Sequence, residues 1–138
     1  MATTTPLLLI TADPSQPLNA LALRYAHAYL KNILNQEDIN SNKKLNVFFY
    51  GDGAHTANRL RWQSADQVDL TKAWQHLADQ YQLSLPVCVS TALSRGISDT
   101  DNSTRHQLNG DNLATGFSLV GLSELAMMMQ DNCRLIQF

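Results

Sequence analysis

Of the residues that carry chemistry in this chain of 138, Cys88 has the most definite setting. It lies within Leu83–Gly96, Leu-Ser-Leu-Pro-Val-Cys-Val-Ser-Thr-Ala-Leu-Ser-Arg-Gly. Leu85 to Val89 is a short apolar run with β-branched members, which predicts a buried strand. Ser90 and Thr91 offer hydroxyl caps, Ala92–Arg95 suit a turn or two of helix, and Gly96 stops it. Cys88 is therefore expected near the carboxyl end of a strand, just ahead of a helix N-terminus. Open α/β sheets bind ligands at that edge. A thiol attacks only as the thiolate, which the N–H groups of a first helical turn favour, with Arg95 one turn on as a further positive influence. A free cysteine in apolar surroundings is instead an inert small hydrophobe. Position alone leaves both readings open.

A second polar cluster follows the next-to-last strand before Cys88. Gly51-Asp52-Gly53-Ala54-His55-Thr56-Ala57-Asn58-Arg59 falls on the same predicted sheet edge, so His55 and Arg59 join Arg95 as candidate supporting residues. Two glycines with neither the third nor a Gly-Lys-Ser/Thr ending make a poor phosphate loop, and a turn plus short helix accounts for the stretch equally well. Asp13 and Asp52 both end strands and could do acid–base work, or serve as turn and cap residues. His27, His55, His76 and His106 are scattered without metal-ligand spacing, and no Gly-x-Ser-x-Gly elbow is present. No metal or diffusible cofactor is expected. A lone thiol without a Cys-x-x-Cys partner suits persulfide carriage or thiol addition better than dithiol exchange. Cys133 opens the last predicted strand and is expected to be structural, although the sequence leaves open its approach to Cys88.

The elements that must position these groups follow from periodicity. Pro6 to Ala12 is a continuous apolar run, the pattern of a strand covered on both faces. Asp13-Pro14-Ser15-Gln16-Pro17 breaks it, and Leu18, Leu21, Ala22, Tyr25, Ala26, Tyr29 and Ile33 then recur at helical spacing. Asn35 to Lys44 is polar and predicts an exposed loop, and Leu45 to Tyr50 predicts a second strand, parallel to the first by the right-handed crossover rule. A helix from Asp66–Asp69 runs through Leu70, Ala73, Trp74, Leu77, Ala78 and Tyr81, with Trp74 in the core and Trp62 a candidate partner contact. Ser98 to Asn112 predicts a mobile surface loop beside the cysteine. Leu113 to Met129 predicts a helix using Leu119, Leu122, Leu125, Ala126 and Met129, and Cys133 to Phe138 a terminal strand. The sum is one three-layer α/β/α domain over residues 1–138, with a mainly parallel sheet of four or five strands.

Bulk properties exclude several classes. A net charge of -2 with one adjacent basic pair, Lys43-Lys44, gives no surface for gripping nucleic acid. Two cysteines make no disulfide framework, and no apolar run approaches membrane-spanning length. With no signal-peptide pattern ahead of them, a reducing cytoplasmic setting is expected.

These residues resemble the DsrE/DsrF-like sulfur-relay family, nearest to its TusD/DsrE branch. The resemblance runs over nearly the whole chain: Val47–Tyr50 followed by Gly53–Asn58, Asp69-Leu70 with Ala73-Trp74-Gln75, and Val87-Cys88-Val89 with Ala92–Gly96. Further on come Asn112-Leu113, Gly116-Phe117, Leu119, Gly121-Leu122 and the ending Cys133–Phe138. It implies a cytoplasmic sulfurtransferase whose Cys88 takes sulfur as a persulfide from a TusA-like donor and passes it to a TusE/DsrC-like acceptor. In that branch the relay supplies the 2-thio group of a tRNA wobble uridine, and related proteins serve dissimilatory sulfur oxidation. The implied assembly is a dimer of heterotrimers with TusB- and TusC-like chains, without direct nucleic-acid or membrane contact. A non-catalytic interaction subunit is the alternative from another class. Two features depart from the pattern: a longer link over Gln36–Lys44, and Ser90-Thr91 where the branch carries smaller residues. A relay cysteine is expected at an open surface cleft, within reach of a partner's cysteine tail.

Overall fold

The computed structural model describes residues 4–34 and 45–138. The Gln36–Lys44 link lies outside the described residues. Five strands, β1 (Thr5–Ile10), β2 (Asn46–Phe49), β3 (Leu85–Cys88), β4 (Phe117–Val120) and β5 (Cys133–Gln137), form one sheet in the order β4-β3-β2-β1-β5. Every pairing is parallel. Helices α1 (Pro17–Leu34), α2 (Leu70–Tyr81), α3 (Val89–Ser94), α4 (Thr100–His106) and α5 (Leu122–Met128) complete the chain, with a 3-10 helix over Gly51–Ala57. The three-layer α/β/α expectation is met.

Alternation along each strand sorts the two faces. Leu8, Ile10, Val47, Phe49, Leu85, Val87 and Phe117 enter the larger core, shared with Ala22, Ala26 and Leu30 of α1 and Trp74 and Leu77 of α2. Leu7, Phe48 and Cys88 point the other way into a smaller cluster, against which Leu125 and Met128 of α5 pack. One face is thus covered by two long helices. The other receives a seven-residue helix with no fully buried residue.

Three sequence expectations are corrected. The buried side of α1 is the line Asn19, Ala22, Ala26, Leu30, while Leu18 and Leu21 are exposed. Alanines let the helix approach the sheet closely, and Asn19 is buried because all its polar atoms are used. Its Nδ2 donates to Ala12 O (3.0 Å) and Thr56 Oγ1 (2.9 Å), and its Oδ1 accepts from Trp74 Nε1 (3.1 Å). Second, Ser98–Asn112 is no mobile loop: it contains α4, capped by Asp99, whose carboxylate accepts from Asn102 N. Asn112 then pins the segment, accepting from Ser98 N and donating to Gly96 O and Asn58 Oδ1. Third, Leu113–Met129 is not one helix. Gly116, at φ +94°, turns the chain into β4, and only Leu122–Met128 is helical. Leu119 belongs to the strand, and its spacing to Leu122 and Leu125 imitates a helical stripe.

The 3-10 helix is bedded directly on β1. Tyr50 N donates to Ile10 O, and a Cβ added at Gly53 would fall on that same carbonyl oxygen, well inside contact distance. Only glycine fits so close an approach. Gly53→Ala is therefore expected to destabilise the fold by about 1–3 kcal/mol, as overpacking does, read as a lowered thermal midpoint by circular dichroism.

Candidate functional site

The chain passes from strand to helix at Cys88 itself. With φ -60° and ψ 120°, Cys88 is the residue immediately before α3, so its N-cap position belongs to the thiol and not to Ser90 or Thr91. The two hydroxyls lie inside the first turn and serve the cysteine. Ser90 Oγ sits 3.4 Å from Cys88 Sγ, and Thr91 Oγ1 donates to the Cys88 carbonyl at 3.3 Å. Gly96, at φ +78°, ends the turn that follows.

Two opposing effects set the thiol's ionisation. Burial pushes its pKa up, and is the largest single influence. Hydrogen bonding from Ser90 and Thr91, that of the Ser90 hydroxyl foremost, outweighs it and holds the pKa below the ordinary thiol value. The sulfur is thus poised toward the nucleophilic form.

It is also covered. Cys88 keeps 1% of its surface exposed, so among the described residues of the isolated chain no open cleft reaches it, contrary to expectation. The reason lies in strand alternation: one residue beyond Val87, Cys88 faces the side that α5 overlies. The covering is shallow, because Ser90, whose hydroxyl touches the sulfur, is itself exposed, as are Gly121 and Leu122 at the start of α5.

The other candidates are engaged elsewhere. Arg95 Nε donates to Asp52 Oδ1 at 3.1 Å and Arg95 Nη1 to Thr91 O at 3.1 Å, tying α3 to the 3-10 helix. Arg59 pairs with Asp111 at 3.4 Å, and its N–H donates to Asn112 O, which fastens the α4 segment. His55 lies on the 3-10 helix, and it and Arg61 act electrostatically to lower the Asp13 pKa. Burial pushes the Asp13 carboxyl up, but bonds from the Ser15 hydroxyl (2.7 Å) and N–H (2.8 Å), with His55 and Arg61, leave it lowered. Asp13 and Asp52 are thus a turn residue and an ion-pair partner. None of His55, Arg59 or Arg95 is hydrogen-bonded to the sulfur among the described residues. Trp62 is 84% exposed, next to the exposed Leu60.

Cys133 is far from Cys88. Strand register sets Val87 level with Phe49 and Ile10, and Cys133 level with Thr5. Six residues along the strands and three strand spacings across give a separation of roughly 24 Å, beyond any disulfide. Both cysteines are free. Among the described residues no group of three or more His, Cys, Asp or Glu is placed to hold a metal, and no helix is long and apolar enough to cross a membrane.

Sequence reading missed the pairing of Ser90 with the sulfur, the Asp52–Arg95 tie and the Asn19 hub. The first had a usable signal, a hydroxyl two residues after a cysteine at a strand–helix junction. The other two join residues distant in sequence and had none.

Residues 7–138 match the model of the DsrE/DsrF-like family. The sulfurtransferase TusD of Sodalis glossinidius is 46% identical over 92 residues, 67% of this chain and 71% of that protein. The sulfurtransferase TusD of Pectobacterium atrosepticum is 42% identical over 117 residues, 85% of this chain and 84% of that protein. A crystal structure of the ychN protein from E. coli superposes with a TM-score of 0.72 over 99% of this chain and 100% of that one; at 17% identity it speaks to fold alone.

Two outcomes follow from the geometry. In a Cys133→Ser background, the ultraviolet absorbance of the Cys88 thiolate should titrate at lower pH in the native protein than in denaturant. The lowered folded-state pKa also makes the ionised sulfur stabilising above the unfolded thiol pKa, a contribution lost as pH falls through the folded value. Separately, Leu125→Ala should speed native-state labelling of Cys88 by a bulky disulfide reagent roughly tenfold, since loosening α5 favours local opening.

Proposed function

Since the chain belongs to the DsrE/DsrF-like family, we propose that it is a TusD-like sulfurtransferase subunit that carries sulfane sulfur on Cys88. The observation that carries this reading is a thiol fixed at the carboxyl end of a parallel strand, at the junction with α3, with the Ser90 hydroxyl 3.4 Å from its sulfur. The Cys88 thiolate attacks the outer sulfur of a donor persulfide. The donor's S–S bond breaks, its thiol leaves as the thiolate, and an S–S bond forms at Cys88. Onward transfer repeats the exchange with an acceptor thiolate attacking the outer sulfur of the Cys88 persulfide. No oxidant or reductant is consumed.

The donor is a TusA-like protein and the acceptor a TusE/DsrC-like one, with the sulfur destined for a tRNA wobble uridine. TusB- and TusC-like chains share the assembly, a dimer of heterotrimers in the cytoplasm. The exposed apolar surface of α5 and β5, including Met127 and Leu135, is consistent with partner chains on that face. Arg95 acts as a positioning residue through α3. Arg59 and His55 keep the surrounding edge in shape. A docking partner reaches the sulfur by displacing part of the cover over its cluster, to which Leu125 and Met128 of α5 contribute.

A second reading, an interaction subunit with an inert cysteine, draws on the 1% exposure of Cys88. Intact mass separates the two. After exposure to a persulfidated donor protein, wild type and Cys133→Ser should each gain one sulfur atom and Cys88→Ser none. Equal gain in all three, or none in any, would reject the carrier reading.

A further inference from the structure

We propose that the Ser90 hydroxyl is a catalytic partner of the Cys88 sulfur, holding the charge of the attacking thiolate and of the persulfide it becomes. This rests on the reading of Cys88 as the reacting thiol. Ser90 makes no cap: its Oγ has Cys88 Sγ, 3.4 Å away, as its partner, and no described backbone N–H. The side chain is exposed and fills no part of either core. It is therefore an exposed polar group in direct contact with a nearly closed sulfur.

The contact changes character with ionisation. With a neutral thiol either atom can donate. A thiolate can only accept, so the hydroxyl must donate, and a bond to a charged acceptor is stronger than the neutral one it replaces. Ser90 thus favours the ionised form selectively, which is what a nucleophile needs and what mere packing would not give. Once the persulfide forms, charge resides on an outer sulfur about 2 Å beyond Sγ. A hydroxyl on an exposed side chain can turn to follow it, whereas the backbone N–H groups of α3 are fixed.

The experiment compares Ser90, Ser90→Ala and Ser90→Thr in the Cys133→Ser background, so that one thiol remains. Thiolate absorbance is titrated, thermal midpoints are recorded, and the rate of sulfur uptake from a small-molecule persulfide is followed by intact mass at neutral pH. Ser90→Ala should move the thiol titration to higher pH and slow uptake, with the thermal midpoint at low pH, where the thiol is neutral in every variant, unchanged. Ser90→Thr, which keeps the hydroxyl, should restore both. An unchanged titration in Ser90→Ala would overturn the proposal. So would a shift that Ser90→Thr fails to reverse, because the disturbance would then lie in the turn and not in the hydroxyl. The titration reads the thiol alone, so the Ser90 contact stands or falls on its own pH shift, while the carrier reading stands or falls on uptake from a persulfidated donor protein.

Discussion

A sulfur taken out of water loses the hydration that stabilises its anion, and the local structure at Cys88 is built against that loss. Burial is the largest influence on the thiol and acts to keep it protonated. Donors on Ser90 and Thr91 reverse the balance. They are available only because strand becomes helix at Cys88, with φ -60° and ψ 120°. A change of direction one residue later would carry those groups away from the sulfur. The placement of one backbone transition decides whether this residue is a nucleophile or a core hydrophobe.

That transition is held by a chain of contacts reaching back to α1. Arg95 closes α3 on its own Thr91 carbonyl and crosses to Asp52. Asp52 rides on the 3-10 helix, which is seated on the Ile10 carbonyl through Gly53 and linked through Thr56 to Asn19 and Thr71. The Asp52–Arg95 pair is partly solvated, so its own contribution to stability is small. Its use is geometric. The buried amide of Asn19 differs: its polar atoms serve Ala12 O, Thr56 Oγ1 and Trp74 Nε1, and removing the amide would strand those partners at a cost of about 1–3 kcal/mol each.

The sheet was legible because β1, β2 and β3 are apolar runs of strand length, β5 follows the Asp131-Asn132 turn, and the connections admit one handedness. The sulfur's place at the sheet edge followed from the same pattern. What escaped was decided by contacts that local periodicity does not encode. β4 was hidden in a false helical stripe, because Leu119, Leu122 and Leu125 have helical spacing while Gly116 and Gly121 divide the segment. Leu18 and Leu21 suggested a buried side for α1 that Asn19 displaced, since a polar residue enters a core only when distant partners receive it. Residues Asp99 to Asn102 cap a helix with no apolar stripe, so composition alone read as loop. The closure of Cys88 was likewise invisible: which face of β3 it occupies followed from alternation, but what covers that face depended on the course of α5.

The two faces of the sheet bear on how a covered sulfur can work. A relay thiol must be ionised, which burial opposes, and reachable, which burial prevents. A rigid lid would set these needs against each other. Here the groups that lower the pKa belong to α3, and the apolar residues laid over the smaller cluster belong to α5. α5 has seven residues, none fully buried, and leaves Met127 and Leu122 largely in solvent, which places it at the low-stability end of the structure. Loosening it thins the apolar cover over the cluster that contains Cys88, while the donors that hold its charge sit on a different element. Separate elements for charge and for cover let the thiol meet a partner in the form in which it reacts.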